Sequence, residues 1–469
     1  MSIIGACMVP HPPIILPEIG QGEERKIADT ALSYEKAADL VRELRPDTIV
    51  VASPHTRMYS DWFYIGGGER GSGNFGRFRA GGVKIRADYD TELISALSEK
   101  CRRTSFPAGV VEDPDIPLDH GVMIPLYFIQ KKYRDFRLVR IGISGLSYSD
   151  HYRLGQMIRE ISDSLSRRVF FVGSGDLSHK LKEDGPYGYI EEGPVYDERI
   201  MDVMGRGAFG ELFDFDPGFC EKASECGHRA FIMMAGALDR TSLEITRLSH
   251  QDTFGVGYGV CTYRALGEDP ERAFLDRWEE RERKRLQAQK EAEDIYVRLA
   301  RLSVETYVAG RRPVSLREAE KKLSLPEVLK KTKAGAFVSL HKEGQLRGCI
   351  GTIAPTCSCL AEEILQNGIS ACSRDHRFSP VEQGELPFLE YSVDVLGEAE
   401  TISSPDQLDV KRYGVIVSRG RKRGLLLPDL EGVDTVEDQI AIAARKAGIS
   451  DHDFEQGVTL QRFEVVRHT

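Results

Sequence analysis

Short runs rich in β-branched and aromatic residues alternate with helical stretches through about residue 265 of this 469-residue chain. The runs include TIVVAS, FRLVRIGIS and RVFFVGSGD, and the stretches between them, such as residues 29–44 and 90–101, carry apolar residues at three- and four-residue spacing. Strands that alternate with amphipathic helices are typical of parallel sheets. The sequence therefore predicts an α/β fold, a layered and mostly parallel sheet, for residues 1–265.

The remaining residues form a second domain. A chain of this length exceeds one ordinary core, because domains usually contain about 100–200 residues. Residues 267–296 are dense in Glu, Arg and Lys, which is typical of a solvated helix, so we assign residues 266–288 to a charged connector helix. Strand-like pieces such as AFVSLH and LEYSVDVLG are mixed with helical ones such as CLAEEILQNGISACS beyond it. They predict a smaller α+β domain over residues 289–469.

Composition narrows the classes of function. The formal net charge is −10, and no basic stripe with interleaved aromatic residues is present, so nucleic-acid binding is not expected. The nine cysteines have no dense spacing, which favours free thiols in a reducing compartment. The sequence contains neither a run of about 18 apolar residues nor a signal-peptide pattern. We therefore expect a cytoplasmic protein without membrane contacts.

Three histidines follow predicted strands. His11 comes after the strand at residues 3–9, His55 after residues 48–52, and His179 after residues 168–172. Ligands of open α/β sheets bind outside the carboxyl ends of the strands, where side chains from several strands meet. The placement of these imidazoles therefore predicts a metal site.

Further polar residues surround this pattern. Asp176 lies in VGSGDLSH, and Glu225 and Cys226 precede the apolar helix predicted from SECGHRAFIMMAGAL. A helix N-terminus favours anionic groups such as a thiolate or a carboxylate. Each residue alone is more often structural, but two histidines with one Glu or Cys form an open three-ligand site of the kind that binds non-heme Fe²⁺.

The elements HPP, SPHT, LDHGVMIPL, GSGDLSHKL, SECGHRAFIMMAGAL and GVGYG resemble the LigB-type class III extradiol dioxygenase superfamily, and most closely its Memo-like branch. The resemblance implies that His11 and His55 hold ferrous iron, that His179 is the catalytic acid/base and that His120 contacts the substrate. In the Memo-like branch a Cys-Gly pair replaces the glutamate ligand, which favours Cys226 over Glu225. Asp176 would then orient a histidine.

The resemblance implies a non-heme iron oxidoreductase that acts on a small aromatic or heteroaromatic molecule, with Fe²⁺ as cofactor and Zn²⁺ or another divalent metal as the alternative. Two other functions stay open. One is a Memo-like metal-binding adaptor without turnover, favoured by a Cys226 ligand. The other is a zinc-type hydrolase or transferase that activates water.

The elements LRGCIGT, SRDHRFSPV and GLLLP resemble the AMMECR family domain. Gly348 and Gly351 around Cys349 indicate close backbone packing or a pocket wall, and the thiol is either structural or reactive. The polar candidates for a ligand pocket are Arg347, Cys349, Asp375, His376 and Arg377. We expect this domain to bind or process the same ligand as the first. The resemblance also implies a radical-SAM protein as partner, and a homodimer is compatible with the sequence.

Two other sequence patterns say less about function. The glycine-rich residues 66–78 lack the lysine and hydroxyl of a phosphate-binding loop and are predicted to form a flexible loop over the crevice, acting as a substrate lid. Cys357 and Cys359 lack a second cysteine pair and are predicted to be ordinary thiols.

Overall fold

The computed structural model describes residues 2–111, 116–430, 432–450 and 457–469. The chain forms two compact units, Met1–Glu280 and Arg281–Thr469. The division falls inside helix Phe274–Ala292, whose start belongs to the first unit because Leu275 and Trp278 are buried in its core. Among the described residues, no helix has both the length and the hydrophobicity needed to cross a bilayer.

The first unit contains an eight-stranded mixed sheet with the order β6-β3-β7-β2-β8-β1-β10-β9 and a separate hairpin of β4 and β5. The neighbours β7, β2, β8 and β1 are parallel to one another, whereas β10 and β9 are antiparallel to their neighbours. The predicted mostly parallel sheet is thus confirmed. The strands are β1 Ile3–Val9, β2 Thr48–Ser53, β3 Phe63–Gly66, β4 Arg70–Phe75, β5 Ala80–Asp88, β6 Ala108–Val111, β7 Arg137–Gly142, β8 Val169–Ser174, β9 Thr241–Gln251 and β10 Tyr258–Glu268.

Two groups of helices cover this sheet, α2 with α4, and α5 with α3 and α8. Strands β1, β2 and β8 are buried along their whole length, as expected for parallel strands covered by helices. Because these three strands are adjacent and parallel, the segments that follow them leave the sheet at one edge. The helices are α1 Pro17–Gly20, α2 Ala28–Leu44, α3 Thr91–Arg103, α4 His120–Lys132, α5 Tyr148–Ser164, α6 Glu192–Arg206, α7 Pro217–Ala223, α8 His228–Ala237 and α9 Phe274–Ala292.

The glycine-rich residues 66–78 are not a flexible loop, and that prediction was wrong. Residues 70–75 form β4, the first strand of the β4–β5 hairpin, followed by a 3-10 turn at Gly76–Phe78. Gly71 and Gly73 face Leu118 and Met123, where a Cβ atom would lie only 2.8 Å and 2.6 Å from their side chains. Two of the inward positions of this strand are thus glycines because no room exists there for larger residues, and only Phe75 shows the apolar alternation of a strand.

The second unit is an antiparallel sheet with helices, as the predicted α+β domain requires. The strand order is β12-β11-β13-β17-β15-β16, and β14 also pairs with β17. Helices α10 and α13 pack on one part of the sheet and α14 on β15 and β16. The elements are α10 Ile295–Gly310, α11 Leu316–Leu323, α12 Glu327–Lys331, β11 Ala336–Lys342, β12 Gln345–Gly351, α13 Leu360–Ser373, β13 Leu389–Leu396, β14 Glu400–Ile402, β15 Tyr413–Arg419, β16 Lys422–Leu426, α14 Val436–Lys446 and β17 Thr459–His468.

Candidate metal centre

His11, His55 and Cys226 meet at the edge of the first sheet. The Nε2 atoms of His11 and His55 are 2.9 Å apart, and Cys226 Sγ lies 3.6 Å from His11 Nε2. One ligand atom from each residue lies within 4.8 Å of the other two. The two histidines arrive from β1 and β2, whereas Cys226 immediately precedes the N-terminal end of α8.

The imidazole of His11 is held in one tautomer. Its Nδ1 lies 3.0 Å from Ser174 Oγ, and that hydroxyl donates its own proton to the carbonyl oxygen of Gly121 at 2.6 Å. Ser174 Oγ must therefore accept a hydrogen bond from His11 Nδ1–H, which leaves the lone pair on Nε2. A bond to the distal ring nitrogen is the usual way to orient a metal-binding histidine.

Asp176 connects the His11 segment to Cys226. Its Oδ1 accepts the backbone N–H of His11 at 2.6 Å, and its own backbone N–H donates to Cys226 Sγ at 3.2 Å. The two segments approach closely because Gly175 lies against Gly227, where a Cβ atom on Gly175 would be 2.0 Å from the Gly227 Cα. Asp176 thus positions His11 through the backbone and not through its ring.

Asp119 connects His55 to the start of α4. Its carboxylate accepts hydrogen bonds from Ser53 Oγ at 2.7 Å and from Thr56 Oγ1 at 2.5 Å, and it also caps α4 at its N-terminus. The turn after β2 and the first residue of α4 are therefore fixed together. As a result His55 and His120 stack with ring centroids 4.1 Å apart.

Burial keeps the imidazoles neutral. It lowers the pKa of His11 well below its ordinary value, with further lowering by the neighbouring His55, His120 and His179. Burial also lowers the pKa of His55, and it lowers that of His120 to about 4. Neutral imidazole is the form that binds metal ions.

The donor set fits a divalent cation. Ligands bound to one tetrahedral ion at about 2.0–2.3 Å lie roughly 3.3–3.7 Å from each other, close to the separations seen here. Without a shared cation or proton, the facing Nε2 atoms of His11 and His55 would place two lone pairs against each other. Burial, then the Asp176 and Glu225 carboxyls, raise the pKa of the Cys226 thiol, and a bound cation would favour the thiolate instead.

His11 and His55 line a cavity of about 800 Å³. His179 and His120 line it, together with the aromatic residues Phe78, Tyr187, Phe254 and Tyr258 and the cation Lys182. His179 Nδ1 donates to the carbonyl oxygen of Ser224 at 2.6 Å, which leaves Nε2 as a proton acceptor. Phe78, in the turn of the β4–β5 hairpin, contacts His120 with ring centroids 5.4 Å apart. The β4–β5 hairpin thus forms part of the cavity wall, at the place where the sequence predicted a lid.

Glu225, the alternative third ligand, caps the N-terminus of α8. Its Oε2 accepts the backbone N–H of His228 at 2.6 Å, and burial raises the pKa of this carboxyl to about 7. Among the described residues it does not belong to the group of three that could hold a metal ion. The geometry favours Cys226 over Glu225.

Sequence reasoning missed several residues of this site. Ser174 was inside the GSGD element, where a hydroxyl directly after a buried strand was a usable signal. Asp119 precedes His120 and has the side chain of a helix N-cap. Nothing in the sequence marked Phe254, Tyr258 and Lys182 as cavity residues. Their loops and strands approach the cavity only in the tertiary fold.

The five predicted pocket residues of the second unit do not all line one cavity. Cys349 and Arg377 line a cavity of about 930 Å³, whereas Arg347 is paired with Glu385 at 2.8 Å and His376 is exposed outside the lining. Asp375 lies beneath the cavity and accepts the Cys349 backbone N–H at 2.9 Å. Arg347 and His376 thus do not line this cavity, since their side chains leave the strand and loop in other directions.

The glycines of the same motif are closely packed. A Cβ atom on Gly348 would lie 2.3 Å from the Ala371 carbonyl oxygen, and one on Gly351 would lie 2.2 Å from Phe337. Cys357 and Cys359 are free and belong to no metal-ligand group in the described part of the chain.

Comparisons with known proteins agree with the resemblances found for both halves of the chain. Residues 5–261 match the family described as the catalytic LigB subunit of aromatic ring-opening dioxygenase, and residues 297–468 match AMMECR1. Protein CA_C1420 of Clostridium acetobutylicum is 38% identical over 475 residues, covering 100% of this chain and 99% of that protein.

Two shorter proteins match about the same share of the chain. A protein of Thermotoga maritima is 48% identical over 177 residues, or 38% of this chain and 98% of its own length. The crystal structure of uncharacterized protein PH0010 from Pyrococcus horikoshii is 30% identical, with a TM-score of 0.34, and covers 38% of this chain and 90% of its own. The sequence resemblances to LigB and AMMECR proteins are thus confirmed, and the chain belongs to the LigB family and carries a C-terminal AMMECR1 domain.

Proposed function

We propose that the first unit is a non-heme iron oxidoreductase that acts on a small aromatic or heteroaromatic molecule. The observation that carries this proposal is the convergence of His11, His55 and Cys226, with ligand atoms within 4.8 Å of one another, beside a cavity with aromatic walls. Membership of a family described by aromatic ring opening supports the same reaction class.

A ferrous ion held by these three residues would supply open coordination positions for a phenolic oxygen and for dioxygen. Two residues beside the metal site would act on the substrate. His179 presents an unprotonated Nε2 to the cavity, because its Nδ1–H is bonded to Ser224, so it accepts the proton of a substrate hydroxyl. His120, stacked on His55, is placed to hydrogen-bond a substrate oxygen.

The cavity walls favour a flat aromatic substrate. Phe78, Tyr187 and Phe254 offer ring faces and edges, and aromatic pairs gain stability in stacked or edge-on arrangements. Lys182 also lines the cavity, but its ammonium group contacts Asp252 at 3.5 Å, and the carboxyls of Asp176 and Asp184 are part of the same lining. A hydroxylated aromatic ring suits these walls.

The test is metal content and turnover of the full-length protein purified without oxygen. We expect about one iron per chain and dioxygen uptake with hydroxylated aromatic substrates, both lost in the His11→Ala, His55→Ala double variant. His376→Ala is the matched control, because this exposed histidine lies outside the site. Full iron retention by the double variant would overturn the proposal, as would uptake that does not depend on His179.

The sulfur ligand supports one alternative. Thiolates favour zinc over ferrous iron, so a zinc centre that activates water for a hydrolase or transferase reaction is the second candidate. Retention of activity after iron is replaced by zinc would select it. A metal spectrum that no small aromatic molecule perturbs would favour the adaptor without turnover. A ligand shared by both units and a radical-SAM partner stay predictions of the sequence.

A further inference from the structure

The second unit contains a cavity that the metal centre does not use. It has a volume of about 930 Å³, and β11, β12, β13, β16 and β17 contribute to its lining, with the end of α14 beside them. Cys349 of β12 presents its thiol there. Its backbone N–H donates to buried Asp375, and Ser339 Oγ of β11 donates to its Sγ at 3.2 Å. The thiol is therefore fixed in position.

One part of the lining is apolar. Phe337, Ile353, Leu425 and Leu427 contribute to it, and all four belong to one hydrophobic cluster of the second unit. Apolar surface that stays open to a cavity of this size gains free energy when it is covered by an apolar ligand.

The charged residues of the lining leave an excess of cations. Asp394 is paired with Arg467 at 2.8 Å, and Glu390 is paired with Arg285 at 3.0 Å. Lys446 and Arg423 also line the cavity, and neither has a carboxylate partner among the described residues. The guanidinium of Arg423 donates to the amide oxygen of Gln461 at 3.4 Å. The side-chain carboxylates of the lining are thus already neutralised.

We propose that this cavity binds a small molecule with an apolar body and one anionic group, with Lys446 and Arg423 attracting the anion and Cys349 beside it. The proposal does not depend on a metal in the first unit. Lys446 of α14 and Arg423 of β16 lie far from Cys349 in the sequence, and the fold brings them to the same cavity.

Thiol alkylation tests the charge selection directly. Iodoacetate and iodoacetamide both react with the thiolate and release iodide, but only iodoacetate is anionic. The ratio of their rates at one cysteine therefore cancels the thiolate fraction and isolates the attraction for the anion. Cys357 is the internal control, because its neighbours are the carboxylates of Glu362 and Glu363. Peptide mass spectrometry of the full-length protein measures both sites in one sample.

We expect the iodoacetate-to-iodoacetamide ratio to be about threefold higher at Cys349 than at Cys357, and to fall part of the way towards the Cys357 value in Lys446→Gln, because Arg423 remains. Lys446 is largely exposed at the end of α14, so this variant keeps the fold. Lys331→Gln is the matched control, because it removes an exposed lysine elsewhere in the same unit. A ratio at Cys349 equal to that at Cys357, or one that Lys446→Gln does not change, would overturn the proposal.

Octanoate and acetate test the apolar part. Octanoate has the anion and a long apolar chain, whereas acetate has the anion alone. We expect octanoate to slow iodoacetamide alkylation of Cys349 but not of Cys357, and acetate at the same concentration to have a smaller effect. Equal protection by the two would contradict the apolar part, and no protection by octanoate would contradict binding itself.

Discussion

The two units place a cysteine in different electrostatic surroundings. Burial raises the pKa of both thiols. The carboxyls of Asp176 and Glu225 raise the pKa of Cys226 further, whereas beside Cys349 the guanidinium of Arg377 lowers the pKa by more than either Asp394 or Asp375 raises it. The carboxyls around Cys226 favour a cation, and the cations around Cys349 favour an anion. The charged neighbours of a cysteine thus decide which kind of ligand its surroundings suit.

The two sites also differ in rigidity. Near Cys226 the residues His11, Ser174 and Asp176 are buried and each is hydrogen-bonded to a partner, as with the Ser174 hydroxyl between His11 and Gly121, whereas His55 is exposed. Around Cys349 the cations lie at an open rim, and the side chain of Arg467 is 43% exposed. Fixed partners suit coordination, which needs ligand atoms in a set geometry. Exposed cations suit attraction of a charge, which tolerates many geometries.

The largest effect that can break this comparison is the loss of the Cys226 thiol. We expect Cys226→Ala to weaken metal binding by more than about 100-fold, since it removes a direct ligand, while Cys349→Ala leaves the affinity unchanged. Competition with a coloured chelator measures both. Glu225→Gln is the nearby control, because this carboxyl caps α8 and should not affect the metal. If Glu225→Gln lost the metal and Cys226→Ala kept it, the roles of the two residues would be exchanged.

The close backbone contact between Gly175 and Gly227 should be nearly as intolerant of substitution. In Gly175→Ala the new methyl group would meet the Gly227 Cα at 2.0 Å, so we expect the free energy of unfolding to fall by about 3 kcal/mol. Urea unfolding followed by tryptophan fluorescence measures it, because Trp62 and Trp278 both lie in the first unit. Gly82→Ala is the control, since nothing lies within 4 Å of a Cβ there. Equal changes in the two variants would show that the contact relaxes freely.

Much of the first site was readable from the sequence because its key residues follow buried strands. His11 and His55 come directly after β1 and β2, which the hydrophobic runs marked, so the order of strand and residue was sufficient. Cys226 was readable from its place before an apolar helix. The β4–β5 hairpin was not readable, because Gly71 and Gly73 occupy the inward positions where a strand normally shows apolar residues.

The second cavity was harder to predict, for a different reason. Cys349 and Arg377 lie near each other in the sequence, but Lys446 and Arg423 reach them from α14 and β16. No local pattern encodes which cations face a given thiol across a sheet. Arg347 and Cys349 are two residues apart and would share a face in a regular strand, but the register with β11 shifts at Arg347, so its side chain leaves that face and pairs with Glu385 instead.

A smaller effect should follow from freeing the His11 ring. In Ser174→Ala the Nδ1–H of His11 loses its acceptor, so the tautomer and the ring orientation are no longer fixed. We expect metal affinity to fall by about 10- to 100-fold, less than for Cys226→Ala. Chelator competition measures it, and Ser339→Ala, which removes the hydroxyl beside Cys349, is the control in the other unit. An unchanged affinity in Ser174→Ala would mean that the metal alone orients the ring.

The smallest effect concerns the ion pair beneath the second cavity. Hydrogen bonding to Arg377 holds the pKa of Asp375 at about 2, below its ordinary value of 3.8. A carboxyl with a lowered pKa in the folded state adds stability above the unfolded pKa and loses it as the pH falls through the folded pKa. We therefore expect Asp375→Asn to cost about 1 kcal/mol at pH 6, with the difference from wild type closing as the pH falls from about 4 to about 2. Pulse proteolysis with pepsin in urea can follow the second unit over this acidic range. Asparagine can still accept the Cys349 backbone N–H through its amide oxygen, so a difference that stays constant down to pH 2 would mean that the cost of Asp375→Asn does not come from the carboxylate charge, and would contradict the ion pair with Arg377 as its source.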